Sequence, residues 1–300
     1  MMKLTILGCH SASPHENKNP TAQLLDIKGH RFLIDCGEGT QVQLRKAKVP
    51  FVHIKHIFIS HLHGDHFYGL PGLVSSFRLL GREAPLHIYG PKGIKEALTL
   101  LLKLANSWTN FPLHFHELGS NASVCIFKDD DVVVHTIPLN HRVYTNGFLF
   151  AEKEGYRRIN ADAAETAGID KSQYRLLQLG QDVLIDDVLI KNSSVTNNPH
   201  PPKKYAYCSD TAYFPSIVPI IKDADWLYHE ATFLQQHVDL AQKTKHSTAQ
   251  EAATIARDAN VGRLILGHYS ARYKNLDLFA QEAIPIYPNV ILAADGAVIT

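Results

Sequence analysis

The segment SHLHGDH, residues 60–66, concentrates side chains that bind metal ions. His61, His63, Asp65 and His66 offer four potential ligands within six residues, directly after a short apolar run. Imidazole and carboxylate together favour zinc or another borderline divalent cation. Burying these groups without a metal would cost several kcal/mol in lost hydration. The pattern therefore predicts a metal site. Alternate residues of a loop can face different sides, so His61 and His63 could hold one ion while Asp65 and His66 reach a second.

A hydrolytic metal ion needs about three protein ligands and an open position for water, so further ligands must come from elsewhere in the chain. His141, Asp210 and His268 are the candidates, because each follows an apolar run that is typical of a strand. Each of them alone could equally be a surface histidine or a capping aspartate. Their shared context favours the metal interpretation, and the carboxylate of Asp210 can bridge two ions about 3.5–4 Å apart.

The elements that must position these residues are short strands that occur in runs, with helices between some of them. Strands are predicted at Val132–Ile137, Tyr205–Cys208 and Leu264–Leu266, just before the three distant candidates. This order favours two sheets packed face to face with helices outside. Residues 153–180 are more polar and helix-prone, which predicts an inserted arm within a single domain of residues 1–300.

A helix is predicted at Ser247–Asn260. Ser247 and Gln250 match a capping box, apolar residues recur at helical spacing, and Gly262 follows the end. His246 would then lie at the beginning of this helix.

The composition is that of a globular protein with a dry core: 300 residues, 45% hydrophobic and 20% charged. The formal net charge of +1 gives no indication of a nucleic-acid partner, so RNA binding would need a local basic patch. No apolar run reaches the roughly 20 residues of a membrane span, and the first residues favour a strand over a signal peptide. We therefore expect a cytoplasmic protein without a membrane partner.

The HxHxDH pattern followed by a spaced histidine, aspartate and histidine resembles the metallo-β-lactamase superfamily. The resemblance implies a four-layer αββα sandwich that holds two zinc ions. It implies that one zinc is bound by His61, His63 and His141, that the other is bound by Asp65, His66 and His268, and that Asp210 bridges them.

Other segments resemble the ribonuclease Z family within that superfamily. They are DCGEGTQ at residues 35–41, HEAT at 229–232, HSTA at 246–249, YSARY at 269–273, and an N-terminal loop formed by Ser11-Ala12-Ser13-Pro14 with Asn19. The resemblance runs nearly end to end. It implies a homodimeric endoribonuclease that removes the 3′ trailer from precursor tRNA, leaving a tRNA 3′-hydroxyl and a trailer 5′-phosphate.

The mechanism that follows is attack by a metal-bound hydroxide on the phosphodiester. Two zinc ions lower the pKa of bound water towards about 7 and neutralise charge on the phosphate. Asp65 is expected to orient this nucleophile or take its proton, and His246 to donate a proton to the leaving oxygen. Glu230 is expected to sit beside His246 and fix its tautomer, although a structural salt bridge is the alternative for this residue.

The sequence departs from the family pattern in the arm and the N-terminal loop. In the family the arm clamps the tRNA, so the resemblance implies that residues 153–180 are a possible tRNA exosite. This arm lacks the family's Gly-Pro motif and its charges nearly balance, and Lys18 stands where the family usually has arginine. One alternative is a phosphodiesterase or hydrolase of small substrates on the same fold. Another is a nucleic-acid-binding scaffold built on an inactive enzyme, against which the complete set of seven candidate ligands argues.

Overall fold

The computed structural model describes residues 2–12 and 17–300. Ser13 and Pro14, part of the N-terminal loop on which the resemblance drew, lie outside the described residues. Within the described part of the chain, the strands form two seven-stranded sheets and two small two-stranded ones. Strands and helices are numbered here in chain order.

The first sheet is built mainly from the first half of the chain. Its order is β18-β1-β2-β3-β4-β5-β6, antiparallel from β18 to β3 and parallel from β3 to β6. Its strands are β1 (Lys3–Gly8), β2 (Ala22–Ile27), β3 (His30–Ile34), β4 (His56–Phe58), β5 (Leu86–Pro91), β6 (Leu113–Leu118) and β18 (Val298–Ile299).

The second sheet has the order β17-β16-β15-β14-β9-β8-β7. It is parallel from β17 to β14 and antiparallel from β14 to β7. Its strands are β7 (Cys125–Lys128), β8 (Val132–Pro138), β9 (Asn146–Glu152), β14 (Lys204–Cys208), β15 (Trp226–Glu230), β16 (Arg263–Gly267) and β17 (Val290–Leu292).

Alternation along the strands of the first sheet separates two apolar layers, because successive side chains point to opposite faces. Phe32 and Phe58 enter the core between the sheets, whereas Leu33 and Ile57 pack under the helices outside. The helices are α1 (Thr40–Lys46), α2 (Gly64–Phe67), α3 (Gly69–Leu79), α4 (Ile94–Leu104), α8 (Val218–Ile221), α9 (Val238–Thr244), α10 (Ala249–Asp258) and α11 (Asp277–Ala283). Two sheets flanked by helices confirm the predicted αββα sandwich.

The chain between β9 and β14 forms a small unit with its own apolar core. Its elements are β10 (Arg158–Ile159), α5 (Ala161–Thr166), α6 (Tyr174–Gln178), β11 (Val183–Ile185), β12 (Val188–Ile190), α7 (Asn192–Val195) and β13 (Thr196–Asn197). Its core is made by Ala164, Ile169, Leu177, Val183 and Val195. The predicted arm, residues 153–180, is only the first part of this unit. The whole unit, residues 153–203, is called the arm below.

The predicted capping box at the start of α10 is wrong by one residue. The N-cap is Thr248, whose side chain accepts from the Glu251 N–H while the Glu251 side chain accepts from the Thr248 N–H. Ser247 is engaged elsewhere, because its hydroxyl donates to the Thr211 carbonyl at 2.7 Å and its N–H donates to Glu230 at 3.1 Å. The observed capping box has the predicted three-residue spacing between a hydroxyl residue and its partner. Tertiary contacts decide which of the two hydroxyl residues caps the helix.

Residues near 300 return to β1. β18 pairs with β1, and Asp295 accepts hydrogen bonds from the backbone N–H of Cys9 at 3.1 Å and of Asn19 at 2.7 Å. The Cys9 carbonyl in turn accepts from the His268 N–H at 2.8 Å. These hydrogen bonds link Asp295 through Cys9 to the backbone of His268, a candidate metal ligand. No helix in the described part of the chain is long and apolar enough to cross a membrane.

Candidate metal centre

The candidate ligands converge because each follows the carboxyl end of a strand. Residues 61–66 follow β4, His141 follows β8, Asp210 follows β14 and His268 follows β16. Asp210 and His268 have left-handed backbone conformations, with φ of 60° and 61°. Such conformations in non-glycine residues cost of order 1–3 kcal/mol and persist where the surrounding structure enforces them. The strand ends thus aim the side chains at one another at the expense of local strain.

The first group of donors consists of His61, His63, His141 and Asp210, whose ligating atoms all lie within 4.8 Å of one another. The Nε2 atom of His61 is 2.9 Å from Nδ1 of His63 and 3.5 Å from Oδ2 of Asp210. Oδ2 of Asp210 is 3.8 Å from Nε2 of His141. This is the spacing expected of ligands around one small cation.

The second group consists of Asp65, His66 and His268. The Nε2 atoms of the two histidines are 3.3 Å apart, and Oδ2 of Asp65 lies 3.5 Å and 3.4 Å from them. Oδ1 of Asp210 lies 3.2 Å from Nε2 of His66 and 3.1 Å from Nε2 of His268. Asp210 therefore presents one oxygen to each group, and the structure brings all seven predicted ligands into one cluster.

The outer nitrogen of four of these rings has a fixed hydrogen-bond partner. Nδ1 of His66 donates to Asp35 at 2.7 Å, and Nδ1 of His141 donates to the Lys245 carbonyl at 2.8 Å. His61 donates in the same way to Ser60 at 3.0 Å, and His268 donates to Thr232 at 2.8 Å. Each of these contacts leaves the Nε2 lone pair directed at the cluster. Such outer partners fix the tautomer of metal-binding histidines, so the donor set fits a divalent metal.

Asp35 is the outer partner that sequence reasoning missed. Its side chain is fully buried and also accepts from the N–H of Ser60 at 2.7 Å and from the hydroxyl of Tyr207 at 2.5 Å. The sequence signal for Asp35 is its place as the first residue of the DCGEGTQ segment, which carries a family resemblance but no metal-binding pattern. The glycines around it allow close packing, because a Cβ on Gly37 would lie 2.4 Å from the Asp65 carbonyl.

Most groups in the cluster favour the charge state that binds metal, but His66 is an exception: burial would lower its pKa, whereas Asp210, Asp65 and Asp35 raise it well above the usual value. Burial alone would raise the pKa of Asp65 and of Asp210, but His66 and His268 hold both pKa values well below the usual range. Burial lowers the pKa of His61 and His141. Ionised carboxylates and neutral imidazoles are the forms that bind metal ions.

His246 and Glu230 form a buried pair beside the cluster. Nδ1 of His246 donates to Oε1 of Glu230 at 2.8 Å, and donor atoms of Asp210, His246 and His268 lie within 4.8 Å of one another. Burial by itself would lower the pKa of His246, but the ionised Glu230 raises it to about 9. The outward-facing atom of this ring is therefore Nε2, next to the metal groups.

Glu230 itself is held in place by several donors. It accepts from the N–H groups of Thr211 at 2.8 Å, Thr232 at 3.1 Å and Ser247 at 3.1 Å, and from the Thr232 hydroxyl at 2.6 Å. A carboxylate with so many hydrogen bonds remains ionised despite full burial. Glu230 is the last residue of β15 and pairs with His246, so this contact fits both the expected tautomer-fixing role and the alternative of a structural salt bridge at a strand end.

Known proteins resemble this chain over nearly all of its length. A protein of Porphyromonas gingivalis named Ribonuclease Z is 44% identical over 289 residues, covering 96% of this chain and 95% of the relative. A Ribonuclease Z of Bacteroides fragilis is 42% identical over 299 residues, covering 99% and 98%. The chain belongs to the ribonuclease Z family. The predicted resemblance is confirmed, and with it the prediction of an endoribonuclease.

One further match agrees with membership of the ribonuclease Z family, and a second match is to another family. The crystal structure of human tRNase Z, short form, superposes with a TM-score of 0.74 at 29% identity and covers 99% of this chain and 98% of that one. Residues 2–151, half of the chain, also match a family model described as Anti-Pycsar protein Apyc1. Through this match the chain belongs to that family as well. That half contains His61 to His141 but neither Glu230 nor His246.

Proposed function

We propose that this protein is a zinc-dependent endoribonuclease that removes the 3′ trailer from precursor tRNA. The observation that carries the proposal is the buried His246–Glu230 pair beside two groups of metal ligands. A phosphodiester with a poor alkoxide leaving group needs a proton donor as well as an activated water. Membership of the ribonuclease Z family supports precursor tRNA as the substrate.

We propose that two zinc ions bind per chain. One would be held by His61, His63 and His141, the other by Asp65, His66 and His268, and Asp210 would contribute an oxygen to each. When bound, such ions ionise a water and offset the charge of the phosphate. The division of the donors into two groups supports two ions, because no single ion could contact both oxygens of Asp210 and all six other side chains.

Asp65 has the position of the residue that orients the attacking water. Its Oδ2 accepts from the Ala12 N–H at 2.8 Å, which fixes the carboxylate, and faces His66 and His268. The lowered pKa keeps the carboxyl ionised, so it can accept a hydrogen bond from water held in the cluster and orient that water.

His246 has the position of the proton donor. Glu230 occupies its Nδ1, so Nε2 carries the proton that faces the leaving oxygen. With a pKa of about 9, the ring is protonated at neutral pH. Proton transfer from Nε2 would release the tRNA with a 3′-hydroxyl, while the trailer keeps the 5′-phosphate.

The test uses two substrates, a 3′-extended precursor tRNA and bis(p-nitrophenyl) phosphate. The proposal expects cleavage of the RNA after the discriminator base with a 3′-hydroxyl product. Cleavage of the small phosphodiester alone would identify a phosphodiesterase of small substrates, and cleavage of neither by metal-loaded protein would identify an inactive scaffold.

The proton-donor role is tested by His246→Ala. Loss of a general acid reduces turnover by roughly a hundred-fold to ten-thousand-fold, while the zinc content stays at that of the wild type. His237→Ala is the matched control, because His237 bonds to the Tyr273 hydroxyl at 2.7 Å and lies outside the metal groups. Normal cleavage by His246→Ala would remove the assignment.

We further propose a homodimer that acts in the cytoplasm, where its precursor tRNA partner is found. Exposed apolar side chains on α3, on α4 and just after it support an interface: Leu79, Leu104 and Trp108 are 82%, 76% and 53% exposed. The two helices pack against each other, and contiguous exposed apolar surface marks interaction sites. Light scattering should give twice the chain mass, and Leu104→Glu should reduce it, whereas a monomer in the wild type would contradict the dimer. Cell fractionation tests the location.

A further inference from the structure

A second group of histidines lies on the inner face of the first sheet, away from the metal centre. His56 on β4, His87 on β5 and His114 on β6 are register partners across three adjacent strands. Their ring centroids are 5.0 Å and 4.8 Å apart along this row. His116, two residues beyond His114 on β6, faces the same side. We call His56, His87, His114 and His116 the sheet-edge histidines.

The sheet-edge histidines are distant from the centre described above. His56 begins β4, whereas the ligand His61 lies beyond its carboxyl end. β4 ends at Phe58, so His61 follows the strand by three residues. The row also reaches β6, the outermost strand of this sheet. A ligand bound there would be independent of the catalytic groups.

Two of these rings direct nitrogens at each other at a distance typical of shared metal ligands. Nδ1 of His87 lies 3.1 Å from Nε2 of His116. Two nitrogens each about 2.0–2.1 Å from one zinc ion are about 2.9–3.4 Å apart at bond angles between about 90° and 110°. The corresponding nitrogens of His66 and His268 in the metal centre are 3.3 Å apart.

The surroundings favour neutral rings with available lone pairs. Burial, together with neighbouring imidazoles, lowers the pKa of both His87 and His116. Phe127 lies edge-on to His56 at 4.8 Å and closes one side of the row. The buried Nδ1 of His56 has no hydrogen-bond partner.

We propose that Nδ1 of His87 and Nε2 of His116 bind one divalent transition-metal ion of the zinc and copper class, with water completing its coordination. Imidazole is a preferred ligand of these ions. The ion links β5 to β6 at the open edge of the first sheet. Its role is structural, because neither His87 nor His116 belongs to a donor group of the metal centre.

The test measures zinc per chain in the holoenzyme after dialysis against micromolar zinc. Wild-type protein is expected to hold one ion more than His87→Gln or His116→Gln. His135→Gln is the matched control, because His135 is a partly buried strand histidine on β8 of the other sheet and should leave the count unchanged. All these variants should cleave precursor tRNA at the wild-type rate, and zinc should raise the melting temperature most in the wild type.

An equal zinc count in wild type, His87→Gln and His116→Gln would overturn the proposal. Should both variants fail to fold, anomalous diffraction from wild-type crystals grown with zinc decides it. A peak about 2.1 Å from both nitrogens supports the site. The absence of an anomalous peak there would show that the two imidazoles share only a hydrogen bond.

Discussion

The metal centre and the arm are held together in opposite ways. The centre gathers donors that are up to 207 residues apart, from His61 to His268, and they follow the ends of four different strands: β4, β8, β14 and β16. The arm is built from neighbours: its apolar core lies entirely within residues 164–195. The centre therefore exists only when both sheets are packed, whereas the arm depends mainly on its own contacts.

The charged side chains show the same difference. In the centre, the charges of Asp65, in α2, and Asp210, just after β14, face a common site. In the arm, Arg175 lies over the Tyr156 ring at 4.1 Å and donates to its hydroxyl, while Arg157 donates to Thr196 and Asn198. These arm cations are engaged within the arm. The comparison indicates that the arm can loosen without disturbing the metal centre.

The largest effect is expected from His63→Ala in the centre. Loss of one ligand should remove zinc and reduce cleavage of both substrates by roughly a thousand-fold or more, because ligands act as a unit. Binding of uncleaved RNA should persist, since the arm is untouched. Elemental analysis and an RNA-binding assay measure the two effects. His53→Ala, at an exposed histidine, is the control, and a fully metallated, active His63→Ala protein would contradict the assignment.

Asp35→Asn should have the next largest effect. Asparagine keeps the shape but loses the charge that holds Nδ1 of His66, and loss of such an outer partner costs about 10–100-fold in metal affinity. Competition with a chelator measures this affinity, and excess zinc should restore activity. Asp26→Asn, on the neighbouring strand and paired with Arg31 at 2.8 Å, should leave the affinity unchanged. Equal affinities in the two variants would show that Asp35 has no part in metal binding.

Asn192→Ala should affect only the arm. The buried Asn192 amide donates to the carbonyls of Leu177 and Gln181, so its removal should cost about 1–3 kcal/mol locally. Hydrogen exchange should become faster within the arm, and KM for precursor tRNA should rise several-fold. Hydrolysis of bis(p-nitrophenyl) phosphate should not change. Ser194→Ala, an exposed arm hydroxyl, is the control; a parallel loss with the small substrate would mean that the two regions are coupled.

Arg175→Gln should have the smallest effect. Because this guanidinium is engaged with Tyr156, its loss should raise KM for precursor tRNA by no more than about two- to three-fold, as for an exposed cation–π contact. Steady-state kinetics measure this, with Lys171→Gln as a second arm cation for comparison. A ten-fold change would indicate that Arg175 leaves the ring and contacts the RNA.

The sequence was most informative where chemistry is local. SHLHGDH identifies a metal site by itself, and the distant His141, Asp210 and His268 could be found because each follows an apolar run. Asp35 could not be found in this way, since its partners His66 and Tyr207 come from other strands and its own segment has no metal-binding pattern. The capping error at Ser247 has the same cause, because Glu230 and Thr211 recruit that residue through tertiary contacts.

The pairing of β18 with β1 has a consequence for the order in which the protein becomes active. As the chain is synthesised from its beginning, β1 keeps an unpaired edge until Val298 and Ile299 arrive. Asp295, which anchors the backbone of Cys9 and Asn19, arrives equally late. A nascent chain therefore carries His61 to His66 long before the backbone of His268 is held in place by its hydrogen bond to Cys9. Nuclease activity should therefore appear only after residues 295–299 have been synthesised and have packed against β1.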